Sequence, residues 1–227
     1  MALASYKDLC IDAVDLSLMT PFWSATLGLE PETIDTDART VHLTGASEQH
    51  GVWINRVPEP VTVKQRVHID VHAGSVEEVL ARGATALDLE SFKWKVLRDP
   101  EGGELCVFVR DEVPAYRLYE VIVDSAEPRE IATWWADVLG GKLGERPEKG
   151  WAWVEDIPRA PFESIDFVPV PEPKTVKNRI HWDVDTADVE LLIGAGATVV
   201  RAPDEEIRWT VMADPEGNEF CAFVGDT

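Results

Sequence analysis

Residues 57–71 read VPEPVTVKQRVHIDV, and residues 170–184 read VPEPKTVKNRIHWDV. The offset is 170 − 57 = 113 residues, and 11 of the 15 positions are identical. FWSATLG from Phe22 returns as WWADVLG from Trp134, and DPEGGELCVF from Asp99 returns as DPEGNEFCAF from Asp214. Three ordered matches at nearly one offset make the chain of 227 residues a tandem duplication. Solenoid units repeat every ~20–50 residues, so a period this long means that each copy buries a core of its own. The copies are expected at 1–112 and 113–227, joined through the charged, proline-containing stretch Arg110–Arg117.

Each copy subdivides again. A strand (KDLCIDAV, YEVIVD) leads into a short helix. Thr20 before Pro21 is the expected N-cap of the first helix and Gly28 its stop; Ser125 and Gly140 are expected to do the same in the second copy. Short strands follow: TVHLTG and GVWINRV, then GWAWVED and ESIDFVPV. The pattern restarts with QRVHIDVH and SVEEVLARG, or RIHWDVD and DVELLIGAG, and closes on three more strands. This gives four βαβββ modules and an α+β fold. Asp99 and Asp214 open DPEG turns, where an Asp side chain accepts from the backbone ahead.

Side chains alternate across a strand. Val67, Ile69 and Val71 share one face of QRVHIDVH, and Arg66, His68, Asp70 and His72 the other. Ile180, Trp182 and Val184 oppose Arg179, His181, Asp183 and Asp185 in the second copy. Asp8, Cys10 and Asp12 share a face, as do Glu120, Ile122 and Asp124; Cys106 with Phe108 and Cys221 with Phe223 do likewise. The apolar faces are expected to pack on the helices, and the polar faces to line one cup in each half. Asp70 and Asp183 read either as salt-bridge partners of Arg66 and Arg179 or as polar anchors in the cup.

Composition narrows the partners. Lys and Arg total 21 against 42 Asp and Glu, a formal net charge of −21. Such a surface repels nucleic acids and anionic membranes. Cys10, Cys106 and Cys221, without CxxC spacing, point to a reduced cytoplasmic setting, and the start of the sequence carries no run of signal-peptide type. The nine tryptophans exceed what such cores need. Trp53, Trp151, Trp153 and Trp209 are candidate ligand contacts beside His68, Asp70 and Asp183, since indoles offer flat area and accept cations.

The doubled βαβββ pattern, FW-x₄-LG, R-x-H-x-D and DPEGNEFC resemble the vicinal-oxygen-chelate superfamily of glyoxalase I, bleomycin-resistance proteins and extradiol dioxygenases. The resemblance implies curved, cup-shaped mixed sheets and up to four ligand positions per cup. Carried onto this sequence, these are Asp8, His68 and Cys106 in the first half, and Glu120, His181, Cys221 and Asp166 in the second. A cysteine stands where metal-using members usually have a glutamate. Zinc, nickel or iron is a candidate cofactor, although the two-His, one-carboxylate set of iron oxygenases is missing. Two functions follow. One is a binding protein that holds an aromatic or cationic metabolite in an acidic, Trp-lined cup without an essential metal. The other is a metal-dependent lyase or isomerase of glyoxalase type, with Glu120 and His181 catalytic. Fusion of two copies is expected to replace the dimer of single-domain relatives and leave a monomer.

Overall fold

The computed structural model describes residues 2–32 and 39–225. The first module is β1 (Ala4–Ala13), α1 (Leu16–Leu27), β2 (Glu30–Pro31), β3 (Thr40–Thr44) and β4 (Val52–Arg56). The second is β5 (Val67–Ala73), α2 (Val76–Leu80), β6 (Thr85–Asp88), β7 (Lys95–Arg98) and β8 (Glu104–Val109). The third is β9 (Leu118–Ser125), α3 (Pro128–Leu139), β10 (Lys142–Arg146), β11 (Trp151–Glu155) and β12 (Ser164–Pro169). The fourth is β13 (Ile180–Thr186), α4 (Val189–Gly194), β14 (Thr198–Arg201), β15 (Thr210–Ala213) and β16 (Glu219–Val224). The expected α+β fold of four βαβββ modules is observed.

The hydrogen-bonded strand orders are β14-β15-β16-β13-β1-β4-β3-β2 and β10-β11-β12-β9-β5-β8-β7-β6, and neither sheet closes on itself. Both sheets are mixed. β5 runs parallel to β8 and β13 to β16, whereas β6 with β7, β7 with β8, β14 with β15 and β15 with β16 are antiparallel. The chain forms two compact units, an N-terminal one of Cys10–Val121 and a C-terminal one of Met1–Leu9 with Ile122–Thr227. No helix among the described residues is long and apolar enough to cross a membrane.

The alternation on the R-x-H-x-D strands decides their packing. Val67, Ile69 and Val71 are at most 1 % exposed, and Ile180, Trp182 and Val184 at most 2 %. Each such side chain contributes about 1.5–3 kcal/mol on burial. In the C-terminal unit Trp135 forms the centre of the core, its ring centroid 4.7 Å from Trp134, 4.7 Å from Trp182 and 5.1 Å from Phe220. Trp23, the equivalent residue of the N-terminal unit, is 1 % exposed.

The helix starts differ from expectation. α1 is capped by Asp15, which accepts from Ser17 N and Leu18 N, and Pro21 lies inside the helix. An Asp side chain two and three residues before those amides captures them, so the helix begins at Leu16 rather than after Thr20. α3 starts at Pro128 with Glu127 as N-cap residue, while the Ser125 hydroxyl donates to Glu216 instead. The stops are as expected: Gly28 and Gly140 adopt φ 70 and 73, and their N–H groups bond Ser24 O and Ala136 O. At Gly28 a Cβ would strike the Ala115 carbonyl oxygen, so glycine is needed for packing as well as for its backbone angle.

Candidate functional site

Parallel pairing of β5 with β8 sets Asp70 opposite Cys106 and His72 opposite Phe108. His68, one pleat earlier on the same face, reaches the same spot. Its Nε2 lies 3.6 Å from Cys106 Sγ and 3.6 Å from Asp70 Oδ1. The C-terminal unit repeats this. Asp183 stands opposite Cys221 and Asp185 opposite Phe223, and His181 Nε2 lies 3.6 Å from Cys221 Sγ and 3.7 Å from Asp183 Oδ1. Each unit therefore holds one His–Asp–Cys cluster. Sequence alone left Asp70 and Asp183 open between arginine partner and anchor; both stand at the imidazole.

These spacings carry chemical meaning. A nitrogen–oxygen separation of 3.6 Å is too long for a hydrogen bond. It matches neighbouring donors on a tetrahedral zinc, which bonds of about 2.0–2.3 Å set about 3.3–3.8 Å apart. Burial lowers the His68 pKa to about 4, helped by the Lys64 charge, so its ring is neutral at physiological pH. His68 Nδ1 is buried and has no hydrogen-bond partner among the described residues. The Cys106 thiol is pushed far above the ordinary thiol range, first by burial and then by Asp70 and Glu104. The donor types and spacing fit a borderline cation such as zinc. Binding there would expel the thiol proton.

The other candidates are spread more widely. Asp8 is buried and accepts from Lys7 Nζ at 2.7 Å. Burial works against the Lys7 charge, yet Asp8, Asp185 and Asp183 outweigh it and hold the ammonium above its ordinary range. Glu120 is half-buried on β9. Asp166 accepts from Ser164 Oγ at 2.5 Å; burial raises its pKa to about 6, with Glu155 adding and the Ser164 bond opposing. Trp53 stacks on His42 at 4.1 Å and 9°. Lys149 lies 4.2 Å over Trp151, and Trp153 donates to Glu155 at 2.8 Å. Trp209 stacks on Phe223 at 5.4 Å, and Lys7 sits 5.2 Å from the Phe223 ring centre.

The expected ligand grouping by halves is exchanged. Asp8 belongs to the unit of His181 and Cys221, and Glu120 to the unit of His68 and Cys106. The cause is the strand order, in which β1 neighbours β13 and β9 neighbours β5. A first strand is thus joined to a module that does not follow it in its own half. Strand partners are a non-local property that alternation cannot reveal.

Sequence reading also missed a row of rings. Trp94 and Phe108 stack at 5.7 Å, as their equivalents Trp209 and Phe223 do. In the N-terminal unit the row continues through Tyr119, 5.0 Å from Phe108, to His72 at 4.5 Å. The equivalence of Trp94 and Trp209 was visible in the repeat. Tyr119 and His72 join the row only through strand pairing.

A family model for the glyoxalase-like domain matches residues 8–108 and again 120–223. Among solved structures, glyoxalase I from Zea mays aligns with TM-score 0.69 at 15% identity, covering 96% of this chain and 92% of that one. A candidate dioxygenase from Bacillus subtilis gives 0.61 at 13% identity, covering 97% and 86%. The cppA protein of Streptococcus pneumoniae gives 0.51 at 12% identity, covering 96% and 98%. At these identities the likeness is one of fold. No curated protein matches the chain.

Proposed function

Because the chain belongs to the glyoxalase-like domain family of the vicinal-oxygen-chelate superfamily, we propose that it is a small-molecule-binding protein of glyoxalase/bleomycin-resistance type that holds a planar aromatic molecule without an essential metal. One observation carries this reading. In both units a half-buried tryptophan stacks on a half-buried phenylalanine on the strand of the His–Asp–Cys cluster or its neighbour. Half-buried rings keep area for a ligand, and an offset stack contributes about 0.5–1.5 kcal/mol beyond burial. A cationic ligand is less favoured. Lys7, Arg110 and Lys149 already sit over Phe223, Phe108 and Trp151.

The test is intrinsic tryptophan fluorescence and calorimetry with a panel of planar aromatics, in chelator and then in added zinc, nickel or iron. Saturable binding in chelator is expected. A requirement for stoichiometric metal would overturn the reading.

The donor spacing favours a second reading, a metal-dependent lyase or isomerase of glyoxalase type. His68, Asp70 and Cys106, whose donor atoms all lie within 4.8 Å of one another, would hold the cation. Its contribution when bound would be to polarise a substrate oxygen. Glu120, on the strand beside β5, would then move a proton. Elemental analysis of protein purified without chelator, beside His68→Ala, separates the two readings. The fused copies are proposed to act as a monomer, which light scattering tests.

A further inference from the structure

The two units are copies of one fold, so each serves as an internal control for the other. A residue required by the fold should recur in both. The Trp–Phe stack recurs, but its surroundings do not. In the N-terminal unit Phe92 extends the row, lying parallel to Trp94 at 5.0 Å and 9° while 47% of its surface stays exposed. Its equivalent at 92 + 115 = 207 is Ile207. Tyr119 corresponds to Lys7, and His72 to Asp185. Arg110 corresponds to Gly225. Three rings and one guanidinium are thus additions that the same architecture does without.

Arg110 is the informative one. Its guanidinium carbon lies 5.5 Å from the ring centres of both Phe108 and Tyr119. It forms no ion pair with any carboxylate among the described residues, in a chain with 42 acidic residues. Asp111 and Glu112 follow it directly and are exposed, yet neither is paired with it. A guanidinium held beside rings and not engaged by a carboxylate offers its N–H donors to a planar anion, the fork geometry that suits a carboxylate. In the C-terminal unit the place of His72 is taken by Asp185, which pairs with Arg159 at 3.4 Å and acts on the Lys7 charge. There the cations are answered by the protein's own acids.

We propose that the ring row Phe92–Trp94–Phe108–Tyr119 of the N-terminal unit, edged by Arg110, binds a planar aromatic anion such as an arene carboxylate, and that the C-terminal unit has diverged from this specificity. This rests on the aromatic-ligand reading above and adds the charge and the unit. The rings supply the flat area, and Arg110 supplies the countercharge. An overall charge of −21 disfavours anions generally, so selection for one needs such a locally uncompensated cation.

The test uses the full chain in chelator with three probes of one shape: 2-naphthoate, 2-naphthylmethanol and 2-naphthylmethylammonium. Binding is read by calorimetry and tryptophan fluorescence, on the native protein and on Arg110→Gln, Trp94→Leu and Trp209→Leu. The expected result is a single site that prefers naphthoate at least about tenfold, as one charge-assisted contact provides. Arg110→Gln should erase the preference, Trp94→Leu should weaken all three probes at that site, and Trp209→Leu should leave the preference for naphthoate intact. Arg110 is exposed, so its variant folds and stays informative even if Trp94→Leu does not. Equal binding of all probes, unchanged in Arg110→Gln, overturns the anion inference and leaves the aromatic reading standing. Loss of naphthoate binding in Trp209→Leu but not in Arg110→Gln overturns the assignment to the N-terminal unit. No binding of any probe overturns both.

Discussion

A carboxylate oxygen of Glu216 lies 2.7 Å from the backbone nitrogen of Glu127. The same carboxylate accepts from Ala126 N and from the Ser125 hydroxyl, so the third residue of DPEG holds the corner where β9 turns into α3. Glu101 does the same in the N-terminal unit, accepting from Asp15 N at 2.7 Å and Val14 N at 2.8 Å. The Asp of each motif shapes the turn: Asp99 Oδ1 accepts from Glu101 N and Gly103 N, and Asp214 Oδ1 from Glu216 N and Asn218 N. The motif therefore joins a hairpin to a helix start, where a negative charge is also favoured by the helix dipole.

Glu216→Ala should lower stability by about 2 kcal/mol, because it strips three donors of a charged acceptor near a helix N-terminus. Glu216→Gln should retain roughly half, since one amide oxygen still accepts. Urea denaturation at pH 7 measures both. A change below about 0.5 kcal/mol in Glu216→Ala would contradict the latch.

The two buried tryptophans of α1 and α3 should differ. Trp135 donates its indole N–H to Asp214 at 3.1 Å, whereas Trp23 Nε1 is buried with no partner among the described residues. Trp135→Phe loses volume and a hydrogen bond to a carboxylate. Trp23→Phe loses volume but also removes an unsatisfied donor. Trp135→Phe should cost more, by about 1–3 kcal/mol. Equal costs in thermal unfolding would refute the distinction.

Asp99 gives a pH dependence with a definite sign. Burial raises its carboxyl to about 6 in the fold, against the hydrogen bonds from Gly103 and Glu101, while 3.8 is its ordinary value. The folded state then binds the proton more tightly than the unfolded state. The charged form costs stability above about pH 6, and that cost disappears as the pH falls through 6 towards 3.8. Asp99→Asn should gain about 2–3 kcal/mol relative to the native protein between pH 4 and pH 8. Parallel curves for the two proteins would show that Asp99 titrates normally.

The cysteines should be chemically quiet. All three are buried and outside any disulfide, and the Cys106 thiol is held protonated. A thiol reagent at pH 8 should label none in the folded protein and three after denaturation, read by intact mass. Fast labelling of Cys106 would mean a thiolate, and would shift the balance towards the metal-dependent reading.

The sequence by itself determined the duplication, the four modules, the helix stops at Gly28 and Gly140, and which face of β5 and β13 is apolar. These depend on neighbours a few residues away: alternation has a period of two, and a left-handed stop needs a glycine. Tertiary structure alone decided that Asp8 shares a unit with His181 and Glu120 with His68, that Asp70 and Asp183 stand at the imidazoles, and that Arg110 rests on two rings from different strands. The physical reason is that a strand's apolar pattern specifies a face but not a partner. Pairing between strands far apart in the sequence is chosen by the packing of whole modules, and the site exists only where the paired strands meet.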